Sequence, residues 1–249
     1  VNRFSVLAVT AVMAVPALAT DLPATLQWSQ RAELAAPVSG VVQTVYVNVG
    51  DRVRKGQVLV ALDATAYNAG VAEAKAELAH AQEEDRDAKR NLDRVQELYN
   101  RTVISMTELE QAQLRNVRAK SQVQEAQAKL ATNQQRLRDA AVRAPFDALV
   151  LARQVEPGQA VASQLQPQPL VVVARAGEMV ARARASLAQV EALKAGQAVT
   201  VAVGQKTYSG KIKTLGLEPV GDKNEYLVDV VFPVQEVLRA GTPATVRIP

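Results

Sequence analysis

The 249-residue sequence predicts a mixed β and α chain. A small β-sandwich is written in two halves, an antiparallel α-helical coiled-coil hairpin is inserted between them, and a small antiparallel β-barrel follows. Three observations predict this. Apolar residues recur at steps of four and three through two long stretches in the middle of the chain. Val-rich, Gly-punctuated segments flank those stretches and repeat each other at a constant offset of 108 residues. A series of short apolar runs separated by Gly turns then closes the sequence.

Composition sets the limits. Hydrophobic residues make up 48% and charged residues 22%, so the chain carries enough apolar material for packed cores. Aromatics are only 4%, with Trp28 the single tryptophan, and Ala and Val supply most of the apolar surface. That favours thin helical seams and small sheets. The net charge of +4 comes from interspersed charges, with no basic stripe carrying aromatics, so nucleic-acid binding has weak support. Cysteine is absent, which excludes disulfides, thiol catalysis and Cys-based zinc sites. The single histidine, His80, falls mid-helix near Glu83 and Glu84 and reads as a surface residue.

Residues 1–19 read as a cleavable secretory leader. Val1-Asn2-Arg3 is a short charged start, Val6 to Val15 an apolar run, and Ala17-Leu18-Ala19 a small-x-small cleavage site. Pro16 interrupts the run, which is short for a bilayer span. No Cys follows to carry a lipid anchor. The mature chain is therefore expected to be soluble and outside the cytoplasm. In segment 20–34, Leu26-Gln27-Trp28 is expected to lend a strand to the barrel.

The first sandwich half spans 35–63. It contains Ala36-Pro37-Val38-Ser39-Gly40, Val47-Asn48-Val49-Gly50-Asp51-Arg52-Val53 and Gly56-Gln57-Val58-Leu59. Val41, Val45, Val47 and Val49 alternate as in a strand. Gly50 and its counterpart Gly158 are predicted structural turns that need positive φ. The second half, 141–168, contains Ala144-Pro145-Phe146-Asp147 and Val155-Glu156-Pro157-Gly158-Gln159-Ala160-Val161. Pro37 and Pro145, Val47 and Val155, Gly50 and Gly158, and Val53 and Val161 all share the same separation, which is an internal repeat.

The hairpin spans 64–140. Its first arm carries Tyr67, Val71, Ala74, Leu78, Ala81, Ala88, Leu92, Val95 and Tyr99, with Asp85 the one polar intruder. The second carries Leu109, Ala112, Asn116, Ala119, Val123, Ala126, Leu130, Asn133 and Leu137. Both are heptad seams with charged flanks. The linker from Asn100 to Ile104 is short, so the arms are antiparallel neighbours, each about 50 Å long. An Ala-rich seam buries little per layer, so the hairpin gains by packing beside copies of itself or a partner. Ser105-Met106-Thr107-Glu108 is a capping box, with Ile104 and Leu109 as its hydrophobic staple.

Residues 169–249 read as the barrel. Predicted strands are Leu170–Ala174, Val180–Ala185, Ala198–Val203, Tyr208–Lys213, Tyr226–Phe232 and Ala244–Ile248, with a short helix from Leu187 to Ala195. No P-loop, no Gly-x-Ser-x-Gly and no metal-spaced His set is present. The expectation is a protein without catalytic residues, cofactor or metal.

The motifs Ala-Pro-x-x-Gly, Val-x-x-Gly-Asp-x-Val and Gly-x-x-Leu resemble the biotinyl/lipoyl carrier fold, so the sandwich is expected to be lipoyl-like. In carriers a lysine on the turn between the halves receives the cofactor. Here the hairpin occupies that turn and Asp63 leads straight into Ala64-Thr65-Ala66-Tyr67. A split lipoyl-like domain carrying a hairpin resembles the periplasmic adaptor, or membrane fusion, family of tripartite efflux systems (HlyD/RND-type). The resemblance implies a periplasmic location and three partners: an inner-membrane transporter (RND-type ahead of ABC-type), a TolC-like outer-membrane channel, and further copies in a trimer or hexamer. It also implies a channel-facing tip, because Arg94, Leu98 and Ser105 match the Arg, Leu and Ser spacing at family tips. Larger members continue into a membrane-proximal domain that is not expected here, which leaves transporter docking to the barrel and lipoyl-like regions. Two other readings stay open: a carrier domain, and an envelope coiled-coil scaffold without a transport role.

Overall fold

The computed structural model describes residues 20–163, 168–221 and 224–248. The expected leader, 1–19, lies outside them. Fourteen strands and three helices are present among the described residues. They form two compact units, one spanning Arg31–Ala176 and the other combining the segment up to Gln30 with the chain from Gly177 onward.

The first unit holds two four-stranded sheets and two long helices. One sheet runs β2 (Arg31–Leu34), β9 (Val171–Arg175), β7 (Ala148–Arg153), β4 (Arg52–Val53). The other runs β6 (Ala141–Arg143), β5 (Val58–Leu62), β3 (Gly40–Val45), β8 (Ala160–Val161). The 108-residue shift maps β3 onto β7 and β4 onto β8 residue for residue. The repeat also shows in the bonding. The Gly50 N–H donates to the Val150 carbonyl at 2.9 Å, and the Gly158 N–H donates to the Val42 carbonyl at 2.8 Å. Each half's glycine turn thus closes on the other half. Gly50 and Gly158 take φ of +95° and +86°, a region other residues enter only at a cost. Leu59, Leu62, Val42, Val150, Val155 and Val171 fill the core between the sheets.

Two sequence expectations change here. The strand starting at Val41 ends at Val45; Val47 is buried but sits in a loop, and Val49 is exposed. Residues 171–175, expected in the barrel, run as β9 between β2 and β7 instead, and β2 follows them into the sandwich. The Val-Val-Val-Ala run is buried at four successive positions, and such an unbroken apolar run has no alternation that would assign it to one sheet over another.

The helices α1 (Thr65–Asn100) and α2 (Met106–Asp139) leave the sandwich between β5 and β6. They pack against each other antiparallel. The missing Cβ of Gly70 would lie 3.1 Å from Asn133 Oδ1, and Lys129 pairs with Glu77 at 2.5 Å. That bond, with Glu77 as its first cause, raises the Lys129 pKa. Val71, Ala74, Ala81 and Ala88 are buried on α1, and Leu109, Ala112, Asn116, Ala119 and Ala126 on α2. The remaining seam positions are half-buried except Tyr99, which is exposed in the last turn of α1. The base is tied down by the Tyr67 hydroxyl, which donates to the Ser39 carbonyl at 2.5 Å. His80 is exposed beside Glu84.

The second unit is a closed barrel in the order β1 (Thr20–Trp28), β10 (Glu178–Ala185), β13 (Glu225–Pro233), β12 (Lys206–Val220), β11 (Ala198–Val203), β14 (Pro243–Ile248). Closure removes sheet edges, which is how a small antiparallel sheet avoids open pairing sites. Leu26, Met179, Ile212, Val228, Val230 and Phe232 form its centre. The short helix is α3, Leu187–Glu191, briefer than the nine residues expected, and Gly196 turns at φ +84°. The strand expected at Tyr208–Lys213 extends to Val220.

Candidate partner interface

The turn between α1 and α2 is built from both sides. On the α1 side the Thr102 N–H donates to the Tyr99 carbonyl at 2.9 Å, and the Val103 N–H donates to the Leu98 carbonyl at 3.0 Å. This is the two-bond pattern of a Schellman motif, with Thr102 at the left-handed position at φ 62°. Glycine is the usual residue there, so the stop carries no sequence signal. On the α2 side the Ser105 N–H donates to Glu108 Oε2 at 3.0 Å, and the Glu108 N–H donates to Ser105 Oγ at 3.4 Å. Two orphan donors of α2 are thereby satisfied reciprocally. Val103 and Met106 stand exposed around this turn. Arg101 pairs with Glu97 across one turn of α1.

The three tip residues fall near this turn without bonding to one another. Arg94 is exposed and donates to Asn91 Oδ1 at 2.7 Å. Leu98 is half-buried one helical turn later. Ser105 lies across the turn, its hydroxyl already engaged with Glu108. Sequence reasoning missed Thr102 and Val103, which hold the turn closed and expose a branched apolar side chain at its apex.

Below the turn, α1 and α2 leave a groove of about 1020 Å³ lined by Asp87, Arg94, Gln111, Leu114, Arg115 and Arg118 among others. It is open and polar. No cluster of three or more metal-ligating side chains occurs among the described residues. No helix among them is long and apolar enough to cross a membrane.

Asp63 stands at the entry to α1. Its carboxylate accepts from the Thr65 N–H at 2.9 Å and the Thr65 hydroxyl at 2.6 Å. These bonds hold Asp63 below the ordinary carboxylate range. The position starts a helix.

Residues 30–166 match the family described as CzcB-like, barrel-sandwich hybrid domain. The multidrug resistance protein MdtA of Klebsiella pneumoniae is 29% identical over 208 residues, which cover 80% of this chain and 49% of that protein. The cobalt-zinc-cadmium resistance protein CzcB of Cupriavidus metallidurans is 30% identical over 136 residues, covering 53% of this chain and 25% of that one. The chain thus spans at most about half the length of these relatives. In fold it is similar to the membrane fusion protein Spr0693 of Streptococcus pneumoniae, with a TM-score of 0.70, 17% identity, and coverage of 91% and 97% of the two chains.

Proposed function

The chain belongs to the CzcB-like barrel-sandwich hybrid family, and on that premise we propose that it is a non-enzymatic periplasmic adaptor, a membrane fusion protein serving as the adaptor subunit of an efflux pump. In this reading α1 and α2 act as a coiled-coil hairpin whose tip meets a TolC-like outer-membrane channel. The sandwich and barrel engage an inner-membrane transporter, RND-type ahead of ABC-type, and copies assemble around the conduit. The protein works in the periplasm, delivered there by its leader.

The observation that carries this reading is the insertion of two helices of 36 and 34 residues between the two halves of one sandwich. A purely local structural role does not need arms of about 50 Å. The turn is also held by a Schellman motif and a capping box, which suits an end that must keep its shape in contact with a partner. Arg94, Leu98 and Ser105 are assigned to that contact. The relatives' names attach to both drugs and metal ions, so they leave the cargo open.

Cysteine placed at Arg101, in a chain that has none of its own, tests the tip. In cells it is expected to crosslink to an outer-membrane channel. Crosslinks confined to soluble proteins overturn the assignment.

A further inference from the structure

The 108-residue repeat extends to the side chains that tie the sandwich halves together, and there the two halves differ. Ser39 and Asp147 share the offset, and so do Lys55 and Ser163. The Lys55 N–H donates to Asp147 Oδ1 at 2.8 Å, and the Ser163 N–H donates to Ser39 Oγ at 3.0 Å. The hydroxyls of Ser39 and Ser163 also lie 3.1 Å apart, within hydrogen-bond reach. Ser39 and Asp147 thus each take a backbone donor from the opposite half.

The main-chain carbonyls of the same two residues find different partners. That of Asp147 accepts the Ala176 N–H at 2.9 Å, from the residue after β9, a strand that pairs with β7. In the other half β5 pairs with β3, but the chain after β5 has turned into α1. There the Thr65 N–H donates to Asp63, and the Ser39 carbonyl accepts from the Tyr67 hydroxyl. A helix side chain therefore supplies the bond that a backbone amide supplies at Asp147. The Tyr67 ring packs against the sandwich core beside it.

Leverage gives this bond its importance. The helix pair joins the sandwich through two short covalent links, between Leu62 and Thr65 and between Asp139 and Ala141, and no side chain caps the start of α1. Arms of about 50 Å turn a small rotation at such a base into a large movement at the far end. Tyr67 lies in the first turn of α1, and the residue it bonds is itself held by the second half.

We propose that Tyr67 and Ser39 form a latch that fixes the angle of the α1–α2 pair on the sandwich. The Tyr67 hydroxyl holds α1 to the Ser39 carbonyl, and the Ser163 N–H holds Ser39, so both halves bear the helices. Asp147, at the matching place in the repeat, holds no helix. The latch belongs to this unit alone and does not depend on the adaptor reading.

Pulsed electron paramagnetic resonance on the full chain tests it, with one spin label on Gln43→Cys in β3 and one on Lys89→Cys in α1. Both positions are exposed, and the chain has no cysteine of its own. Lys89 lies about 36 Å along α1 from Thr65, so a swing of about 10° moves its label by about 6 Å. With the latch intact a single narrow distance distribution is expected. Tyr67→Phe keeps the ring and loses the hydroxyl, and it is expected to widen the distribution by about 6 Å or more. Ser39→Ala is expected to widen it as well, and Asp147→Ala to leave it unchanged. An unchanged width in Tyr67→Phe overturns the proposal. So does equal widening by Asp147→Ala, which would mean a general loosening of the sandwich. Loss of helical circular dichroism in Tyr67→Phe overturns it too, because the hydroxyl would then hold the fold and not the angle. The channel crosslink at Arg101 is a separate measurement, so either reading can fail alone.

Discussion

Thr102 shows how a single residue shapes the turn between the long helices. A β-branched side chain in the left-handed region is strained by roughly 1–2 kcal/mol relative to glycine. Two backbone bonds and the Ser105 cap hold it there. Thr102→Gly is therefore expected to raise the thermal midpoint of the helical signal, by the equivalent of about 1 kcal/mol once the extra freedom of glycine in the unfolded chain is set against it. An unchanged or lower midpoint would show that the turn is not strained. In the barrel, the Tyr208 hydroxyl donates to Glu236, which also accepts from Lys206 at 2.6 Å. Chiefly through that bond, Tyr208 is pushed up to about 12, while Lys206 first and Tyr208 second hold Glu236 below its usual range. The donated bond contributes below pH about 10 and is lost as pH climbs toward 12. Glu236 contributes above the ordinary carboxylate range, and that contribution is lost as pH falls through its lowered value. A near-ultraviolet titration is expected to show one of the five tyrosines ionising late, and Tyr208→Phe to remove that component.

At the scale of the element, the seam between α1 and α2 is weakest where it is polar. Asn116 is 7% exposed, and its Oδ1 has no hydrogen-bond partner; Asp85 Oδ1 is also buried without one. A buried polar atom left unsatisfied costs about 1–3 kcal/mol. Asn116→Leu is thus expected to stabilise the helix pair by about 1 kcal/mol, read as a higher midpoint of helix loss in thermal unfolding. A destabilised variant would mean that the neighbouring Ala layers have no room for the larger side chain. Among the barrel strands, β12 and β13 approach so closely at Gly210 that a Cβ there would lie 2.8 Å from Val230 Cγ1 and 3.1 Å from the Val231 carbonyl. Gly210→Ala is expected to destabilise the barrel by about 2 kcal/mol, measured by denaturant unfolding. The bidentate Arg182–Asp229 pair, at 2.7 and 2.8 Å, ties β10 to β13 at a directly opposed register position.

The whole first unit is organised by its repeat. Each glycine turn closes locally, the Asp51 N–H donating to the Asn48 carbonyl and the Gln159 N–H to the Glu156 carbonyl, while the Gly50 and Gly158 N–H groups bond reciprocally into the opposite half. Gly50→Ala and Gly158→Ala are expected to cost similar amounts, each about 1–2 kcal/mol from forcing a Cβ into positive φ, with nothing within 4 Å to add a clash. Markedly unequal losses in denaturant unfolding would show that the halves are not equivalent. The repeat was legible in the sequence because turns leave Gly and Pro at invariant spacing, and the two long helices because a seam imposes its period on every turn. The capping box was legible for the same local reason. Other features were decided only by the tertiary structure. The assignment of β2 and β9 to the sandwich depends on which strand edges lie free to pair, and hydrogen bonds between distant segments leave no local pattern. The Schellman turn at Thr102 is held by backbone atoms, which are the same in every residue, against a side chain that disfavours it. Local patterns thus determined the elements and their repeat, because each is written in neighbouring residues. Only the folded chain decided how the elements pair, because that depends on residues that the sequence holds far apart.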